Sequence, residues 1–330
     1  MAVLVTGGAG YIGSHTVRQL QKSGYDVVVY DSLVKGHREA VKDVPLIVGD
    51  IRDTDLLSRI ISEYNIDSCM HFAAFSLVGE SMANPQAYYQ NNVSGTLDLL
   101  GVLMLNKVDK FVFSSSAAVY GEPDSTPIHE DNPKVPTNVY GRTKLIIENI
   151  LEDYSKAYGL RYISLRYFNA CGADESGDIG EDHSPETHLI PLILQAALGK
   201  REHISIFGDD YPTPDGTCIR DYIHVVDLAL AHVLALESLY SGSKSEVYNL
   251  GNGTGFSVKE VIEVAERVTG QKIKKEIAGR RPGDPAILVA SSEKIKRELG
   301  WNPRISGLES IINTAWNWHV RFPEGYRGIG

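Results

Sequence analysis

Tyr140 and Lys144 stand four residues apart in a segment, 138–158, whose pattern predicts a helix. Residues i and i+4 lie one above the other on a helix face, so the phenol and the ammonium can share one site. A free tyrosine loses its proton near pH 10, but a cation about 4 Å away favours the phenolate by roughly 4 kcal/mol, or about 3 pK units. The pair therefore predicts a general base that titrates near pH 7, although the same spacing also occurs on ordinary surface helices.

Ser116 is predicted to be the third member of this group. The strand-forming segment 111–116 ends in three consecutive serines just before the helix that carries Tyr140. A hydroxyl at the carboxyl end of that strand would lie beside the phenol. Ser116 would serve equally well as a simple strand terminator, and the residues alone leave both interpretations open.

A glycine-rich turn near the start of the chain predicts a dinucleotide site. The apolar run 2–5 leads into Gly7, Gly10 and Gly13, and a helical pattern follows. Glycines at these positions permit a tight turn and let the backbone approach a pyrophosphate at a helix N-terminus. The next predicted strand ends in Asp31, an acid that would accept hydrogen bonds from ribose and repel a 2′-phosphate. This combination favours NAD over NADP.

Alternating strand and helix patterns predict the fold. They continue to about residue 170, beyond which the loops lengthen. This order is typical of an α/β protein with a Rossmann doubly wound parallel sheet and a smaller C-terminal α/β lobe. We expect an NAD-binding domain over 1–170 and a substrate lobe over 171–330, with the segment near 219–252 returning to the first domain.

Composition and charge narrow the functional classes. The chain has 330 residues, 43% of them hydrophobic, and a net charge of -10, which argues against nucleic acid or an anionic membrane surface as a partner. Three separated cysteines, Cys69, Cys171 and Cys218, indicate neither a disulfide framework nor a metal site. With no basic leader and no long apolar span, the sequence predicts a cytoplasmic protein.

Taken together and in order, the motifs resemble those of the extended short-chain dehydrogenase/reductases, and in particular the members that epimerise UDP-sugars. The likeness extends over 3–326 and implies a Rossmann domain with tightly bound NAD and a C-terminal lobe that holds a UDP-sugar. The motifs that carry it are the glycine turn, Asp31, the serines 114–116, Tyr140 with Lys144, the run 166–169 and the segment 220–224.

The resemblance implies three sets of site residues, by position in this chain. The catalytic set is Tyr140, Lys144 and Ser116. The cofactor-binding set adds Gly7, Gly10, Tyr11, Ile12, Gly13, Asp31, Asp50, Ile51, Phe72, Ala73, Ser76, Asn91 and Phe168. The substrate-binding set adds Asn169, His188, Leu189, Ser205, Ile206, Phe207, Arg220, Arg281, Asp284 and Leu288. Asp50 has a second interpretation, as a polar strand end before a helix.

Arg220 and Arg281 also fit a diphosphate on physical grounds. An acidic protein that binds an anionic substrate needs locally placed guanidinium groups, which grip phosphate oxygens in a fixed geometry. Surface salt bridges are the other interpretation of the two arginines.

The implied reaction is inversion at C4 of the sugar, which interconverts UDP-glucose and UDP-galactose. Tyr140 takes the proton of the 4-hydroxyl, Ser116 hydrogen-bonds the same oxygen, and Lys144 holds the phenolate and the nicotinamide ribose. The C4 hydride passes to NAD, the 4-keto sugar turns over, and the hydride returns to its other face. The resemblance also implies a homodimer through helices near 92–106 and 140–158, the first of which has apolar residues on more than one face.

Three positions depart from patterns common in the family. Ser76 stands where many relatives carry a lysine that reaches the cofactor, and His188 stands where others have an asparagine near the substrate. Leu288 occupies the position whose size gates the 2-substituent of the sugar. Because leucine is intermediate in size, we expect a preference for UDP-glucose and UDP-galactose with some activity on the N-acetylated pair.

Other functions are compatible with parts of this pattern. A nucleotide-sugar dehydratase or decarboxylase needs acids just after Ser116, where this chain has Ala117 and Ala118. A UDP-pentose 4-epimerase, acting on the xylose and arabinose forms, would use the same chemistry at C4. A non-catalytic NAD-sensing protein would need the glycine turn but not Tyr140 and Lys144.

Overall fold

The computed structural model describes residues 1–281 and 284–328. Thirteen strands lie in these residues: β1 Ala2–Thr6, β2 Asp26–Asp31, β3 Leu46–Val48, β4 Ile66–His71, β5 Lys110–Ser114, β6 Arg161–Tyr167, β7 Asn169–Cys171, β8 Ile204–Phe207, β9 Ile219–His224, β10 Glu246–Leu250, β11 Gly255–Ser257, β12 Lys275–Ala278 and β13 Ile287–Leu288.

Eleven α-helices connect them within the described residues: α1 Tyr11–Lys22, α2 Thr54–Glu63, α3 Val78–Ala83, α4 Pro85–Tyr88, α5 Gly95–Leu105, α6 Val139–Tyr158, α7 Leu189–Ala197, α8 Val225–Tyr240, α9 Val258–Thr269, α10 Glu293–Leu299 and α11 Leu308–Arg321. A π-helical turn, Tyr89–Ser94, joins α4 to α5. No helix in the described part of the chain has the length and apolar character needed to cross a bilayer.

The main sheet has seven parallel strands in the order β10-β6-β5-β4-β1-β2-β3. The apolar faces of α1 and α8 cover one side, and those of α2, α5 and α6 cover the other. Because both sides are covered, strands such as β1 are buried along their whole length. The strand order reverses direction between β1 and β4, and ligands of such sheets bind outside the carboxyl ends of the strands at that point. The Rossmann fold predicted from the sequence is confirmed.

The later part of the chain contributes to the main sheet and forms two smaller sheets. Strand β9 pairs with β7, β11 and β13 in a small second sheet, and β8 pairs with β12. Helix α8 and strand β10 then pack on the main sheet, where β10 lies beside β6. Of the segment predicted to return to the first domain, α8 and β10 therefore do so, whereas β9 belongs to the second sheet. The domain boundary near residue 170 stays a prediction.

The predicted elements differ from the observed ones mainly at their ends. Helix α1 begins at Tyr11, before the last of the three glycines, so that Gly13 lies in its first turn and Gly10 is its N-cap. Strand β5 ends at Ser114 rather than at Ser116. The sequence analysis did not predict β9 as a strand, since the adjacent charged residues Arg220 and Asp221 interrupt its apolar pattern.

Candidate active site

Helix α6 carries the predicted base. Asn138 caps its N-terminus by accepting a hydrogen bond from the backbone N–H of Gly141 at 2.8 Å. One turn apart along the buried face lie Tyr140, Lys144 and Glu148. The ammonium of Lys144, which is 2% exposed, donates to the carbonyl of Ser114 at 2.7 Å and lies 5.7 Å from the centre of the Tyr140 ring. The structure therefore brings Tyr140 and Lys144 together at the end of β5.

Ser116 lies in the loop after β5 and still reaches the phenol. Its backbone is extended, and its Oγ accepts a hydrogen bond from the N–H of Ala118 at 3.2 Å. A hydrogen bond with the Ser116 side chain also acts on Tyr140, where it lowers the pKa of the phenol against the larger effect of burial. Ser116 is thus both a local cap and a neighbour of Tyr140, so the two interpretations of the sequence are compatible.

The predicted lowering of the pKa of Tyr140 is wrong. Burial raises the pKa of Tyr140 above its ordinary value of 10.0, and Ser116 opposes this only in part. Lys144 does not compensate because its Nζ is hydrogen-bonded to Ser114 rather than to the phenol. Burial also lowers the pKa of Lys144 to about 7, so its charge at neutral pH is only partial. The prediction from sequence included the attraction between the phenolate of Tyr140 and the ammonium of Lys144. It did not include the cost of removing these charged groups from water.

A buried ion pair between Glu148 and Arg166 fixes α6 next to Lys144. Both carboxylate oxygens of Glu148 accept from the guanidinium of Arg166, at 2.9 Å and 2.6 Å, and Ser115 donates to Oε1 of Glu148 at 2.6 Å. Arg166 donates further to the Tyr120 hydroxyl at 2.7 Å. The sequence analysis assigned no role to Glu148, although its spacing of four from Lys144 places it on the same helix face.

Asn92 is a second positioning residue that the sequence analysis missed. Its buried amide accepts from the N–H of Phe75 at 2.8 Å and donates to the carbonyl of Phe75 at 3.0 Å and to Thr143 at 3.1 Å. It therefore joins the loop after β4 to helix α6. Asn91, predicted to bind the cofactor, donates to Oδ1 of Asn92 at 2.9 Å. Two adjacent asparagines before a helix were the feature of the sequence from which this positioning role could have been predicted.

The glycine turn has the shape that a pyrophosphate requires. Gly7 has a φ of +73°, and a Cβ there would lie 2.5 Å from the backbone nitrogen of Ala73. A Cβ at Gly13 would lie 2.2 Å from the carbonyl oxygen of Gly7. Gly10, by contrast, has nothing closer than that same oxygen at 3.4 Å. Space beside Gly10 therefore remains for a ligand at the start of α1, where no side chain caps the free N–H groups.

Asp31 and Asp50 differ in what their carboxylates contact. Asp31, 7% exposed at the end of β2, accepts from the N–H of Ala9 at 2.9 Å and from that of Leu33 at 2.8 Å. It is therefore fixed against the glycine turn, as the predicted ribose contact requires. Asp50 instead makes an ion pair with Arg52, with Oδ2 2.6 Å from Nη2. This contact favours the interpretation of Asp50 as a polar strand end.

The remaining predicted cofactor positions lie around the carboxyl ends of β4 and β6. The backbone N–H groups of Phe72 and Ala73 both donate to the carbonyl of Thr6, which places them beside the glycine turn at the switch point of the sheet. Ser76 is exposed in the loop that follows, and Ile51 is buried after β3. Phe168 follows β6 and packs with Ala117, close to Ser116.

The predicted substrate arginines lie in the second sheet and its loops. Arg220 on β9 makes an ion pair with Asp284 and donates to the carbonyl of Pro285 at 2.8 Å. The guanidinium carbon of Arg281 lies 3.9 Å from the centre of the Phe207 ring. Ile206 is buried in the core of this lobe, so only its backbone is available to a ligand. Ser205 and Phe207, its neighbours on β8, are partly exposed.

Leu288 and Asn169 connect the second sheet to the reaction centre. Leu288 on β13 packs against the same buried cluster of Val119, Tyr120 and Ile128 as Ala117 and Phe168 do, although it is remote from them in sequence. Asn169 donates to the carbonyl of Asp221 at 3.0 Å, which fixes the start of β7 against β9. The position predicted to gate the sugar thus shares a packing cluster with Ala117, the residue that follows Ser116.

His188 is the N-cap residue of α7, and Leu189 is its first residue. Nδ1 of His188 lies 2.6 Å from Oε1 of Glu181 and 3.4 Å from a carboxylate oxygen of Glu186. Burial alone would lower the pKa of His188, but these two carboxylates raise it to about 10. The imidazole of His188 is therefore held between these two carboxylates.

Comparison with known proteins identifies the family. The chain is 59% identical over 326 residues to a UDP-glucose 4-epimerase of Halalkalibacterium halodurans, covering 99% of this chain and 98% of that protein. This chain belongs to the UDP-glucose 4-epimerase family. A family model described as GDP-mannose 4,6 dehydratase also matches residues 4–314. The epimerase family and that model share the extended short-chain dehydrogenase/reductase fold, and Ala117 and Ala118 lack the acids that dehydration requires.

Solved structures of the UDP-glucose 4-epimerase family have the same fold. One crystal structure of a UDP-glucose 4-epimerase is 56% identical, with a TM-score of 0.97 and 99% coverage of both chains. The enzyme of Bifidobacterium longum, in complex with NAD+ and UDP, is 42% identical, with a TM-score of 0.93 and coverage of 98% of this chain and 100% of that one. The resemblance stated from the sequence is confirmed.

Proposed function

We propose that this protein is an NAD-dependent epimerase that interconverts UDP-glucose and UDP-galactose. The observation that carries the proposal is the placement of Tyr140, Lys144 and Ser116 together at the carboxyl end of β5, beside a glycine turn with room for a pyrophosphate. High identity to UDP-glucose 4-epimerases over the whole chain supports the same reaction.

The cofactor fits the residues at the switch point of the sheet. The free N–H groups of Tyr11 and Ile12 at the start of α1 hold the pyrophosphate, and Asp31 accepts from the ribose hydroxyls. NAD, when bound, supplies the acceptor that takes the C4 hydride and returns it. Phe72, Ala73 and Phe168 line the space between the glycine turn and Tyr140.

Three side chains act on the sugar oxygen at C4. Tyr140 removes the proton of the 4-hydroxyl and later returns it, and Ser116 donates a hydrogen bond to the same oxygen. Because burial raises the pKa of Tyr140, the phenolate requires a nearby positive charge once the site is filled. Lys144, held by the carbonyl of Ser114, would contribute that charge and would hold the nicotinamide ribose. A 4-keto sugar that turns about its link to the diphosphate then presents its opposite face.

The diphosphate binds to the arginines of the second lobe. Arg220 exchanges part of its ion pair with Asp284 for phosphate oxygens, and Arg281 extends from its contact with Phe207. The uridine lies against β8, where Ser205, Phe207 and the backbone of Ile206 are available. Asn169, His188 and Leu189 complete the contacts around the phosphates and the sugar.

The side chain of Leu288 limits the activity on the N-acetylated pair of UDP-sugars. This side chain packs against the same cluster as Phe168 and Ala117, and its size would set the space for the 2-substituent. Leucine leaves more room than tyrosine and less than a small residue. The protein therefore prefers UDP-glucose and UDP-galactose and converts the N-acetylated pair more slowly.

We also propose that the protein forms a homodimer through α5 and α6. Helix α5 buries one apolar face in the core yet exposes Leu97 and Leu105, the latter to 85%, and Tyr158 is exposed at the end of α6. Pairing with a second copy would cover these side chains. Sedimentation equilibrium would report twice the chain mass; a monomer at every concentration would contradict the dimer.

The function is tested by incubating the purified protein with UDP-galactose and separating the products. We expect UDP-glucose to form without added NAD, because the cofactor is tightly bound. Parallel reactions with UDP-xylose and UDP-GlcNAc rank the pentose and N-acetylated substrates. Protein that binds NAD but converts none of these sugars would be the non-catalytic NAD-sensing alternative, and protein that carries and accepts no dinucleotide would contradict the proposal altogether.

A further inference from the structure

Four side chains before helix α7 form a compact group of nitrogen and oxygen ligands. Glu181, His183, Glu186 and His188 each offer one atom, and the four atoms lie within 4.8 Å of one another. Among residues 1–281 and 284–328 this is the one group of three or more histidines, cysteines and carboxylates so arranged. The sequence analysis found no metal site because it examined cysteine spacing and treated His188 only as a substrate contact.

The four contacts between histidine and carboxylate are between 2.6 and 3.7 Å, on the scale of the edges of a small coordination tetrahedron, and the two contacts of Glu186 use different oxygens of its carboxylate. Nδ1 of His183 lies 3.2 Å from Oε1 of Glu181 and 3.7 Å from Oε2 of Glu186. Nδ1 of His188 lies 2.6 Å from Oε1 of Glu181 and 3.4 Å from Oε1 of Glu186. Ligands about 2.0 to 2.1 Å from a tetrahedral Zn²⁺ are roughly 3.3 Å apart, so movements of less than about 1 Å would complete the shell.

Two of the ligand atoms lack the hydrogen bonds that their burial demands. Oε1 of Glu181 and Nδ1 of His183 are inaccessible to solvent, and neither meets the directional criteria of a hydrogen bond, although they lie 3.2 Å apart, within ion-pair distance. The side chain of Glu181 is 4% exposed. A buried carboxylate oxygen without a hydrogen bond is costly. A cation bound between the four atoms would satisfy both.

We propose that Glu181, His183, Glu186 and His188 bind one divalent cation of the Zn²⁺ class. Two imidazoles and two carboxylates suit Zn²⁺ and its neighbours among the transition metals, whereas Mg²⁺ and Ca²⁺ prefer all-oxygen shells. The four residues come from one short stretch, so the ion closes a single loop and needs no partner subunit.

The bound ion would stabilise the contact between the two lobes. Tyr11 of the glycine turn packs edge-on against His183, with ring centres 6.2 Å apart, and donates to the carbonyl of Gly172 at 2.6 Å. His188 uses Nδ1 toward the cluster, which leaves its other ring nitrogen for a substrate. The ion is thus a structural element that holds the loop before α7 against the cofactor turn.

The test uses untagged full-length protein that has been treated with a chelator and dialysed. Equilibrium dialysis against Zn²⁺ is expected to show one ion per chain. His183→Ala and Glu186→Gln should each weaken binding by more than about 100-fold, since even outer-shell partners of a metal cost about 10- to 100-fold. His129→Ala, a change at an exposed histidine elsewhere, should leave binding unchanged.

Co²⁺ provides a readout that does not depend on activity. Co²⁺ bound by this group should give the strong visible absorption of a four-coordinate ion without the near-ultraviolet bands of thiolate ligation, which separates this site from the cysteines. Wild-type protein that binds no Zn²⁺ would overturn the proposal, as would binding that is equally weak in wild type and His183→Ala. In either case the proposed epimerase activity would be unaffected.

Discussion

The reaction centre and the substrate lobe hold their charged side chains in different ways. In the reaction centre, defined here as Ser116, Tyr140 and Lys144, the ammonium is 2% exposed and fixed by the backbone carbonyl of Ser114. In the arginine rim, defined as Arg220, Arg281 and Asp284, Arg220 is 13% exposed and bound to Asp284. Arg281 is exposed and lies over the ring of Phe207.

The difference corresponds to the two proposed roles: the reaction centre carries out the chemistry, and the arginine rim recognises the substrate. Groups that must act on one oxygen atom are held by backbone and buried partners, so that their geometry does not depend on the substrate. Of the groups proposed to bind the diphosphate, Arg220 is paired with Asp284, and we expect the phosphates to take the place of Asp284. Changes at the reaction centre should therefore affect kcat or folding, and changes at the arginine rim should affect KM.

Tyr140→Phe should produce the largest loss of activity. The variant lacks the hydroxyl that we propose takes the proton of the sugar 4-hydroxyl. Its kcat should therefore fall by about 10²- to 10⁴-fold, the usual contribution of a general acid-base group. The dinucleotide content of the denatured protein should stay at the wild-type level, because most of the predicted cofactor contacts are made by other residues. A variant that keeps a wild-type rate would remove Tyr140 from the chemistry.

Glu148→Gln should produce the largest loss of stability. It breaks the pair with Arg166 and leaves a buried guanidinium without its counter-charge, which should lower the free energy of unfolding by about 3 to 5 kcal/mol. Glu152→Gln is the matched control, because Glu152 pairs with Lys156 at the surface of the same helix. Urea denaturation measures both; equal effects would show that the pair does not support α6.

Lys144→Met should change how stability depends on pH. The pKa of Lys144 is lowered to about 7 in the folded protein and lies near 10.4 in an unfolded chain. Between these values only the unfolded chain binds the proton, so wild-type stability should fall as the pH decreases from 10 to 7, by about 3 to 4 kcal/mol. Thermal unfolding at pH 7, 8 and 9 would show a smaller pH dependence in the variant; parallel curves would refute the lowered pKa.

Arg220→Ala should raise KM for UDP-galactose by about 10- to 100-fold with little change in kcat, because a hydrogen bond to a charged group contributes about 1.5 to 3 kcal/mol. Arg280→Ala is the control, since Arg280 pairs with Asp210 in the same region. Steady-state kinetics on both variants measures the effect. A fall in kcat alone would place Arg220 with the reaction centre instead.

Leu288→Tyr should produce the smallest effect. The larger ring should reduce activity on UDP-GlcNAc relative to UDP-glucose by about tenfold or more, because steric changes in a pocket contribute about 1 to 3 kcal/mol. Leu288→Met conserves volume and should leave the ratio unchanged. The ratio of the two kcat/KM values is the measurement, and an unchanged ratio in the tyrosine variant would exclude Leu288 as the gate.

Much of the site was predictable because it follows local rules. The glycine turn, Asp31 and the i, i+4 pair on α6 each combine a residue type with a spacing that a regular element converts into geometry. Glu148 and Asn92 were missed because their importance comes from contacts with Arg166, Phe75 and Thr143, which lie in other elements.

By itself, the sequence determined the order of strands and helices, the dinucleotide turn and the identity of the acid-base pair. Hydrophobic periodicity and glycine placement are properties of the chain before it folds. Only the tertiary structure decided the electrostatics: the pKa of Tyr140 rises rather than falls, Arg220 is paired with Asp284, and two histidines meet two glutamates before α7. Desolvation and long-range pairing depend on which surfaces the fold buries together.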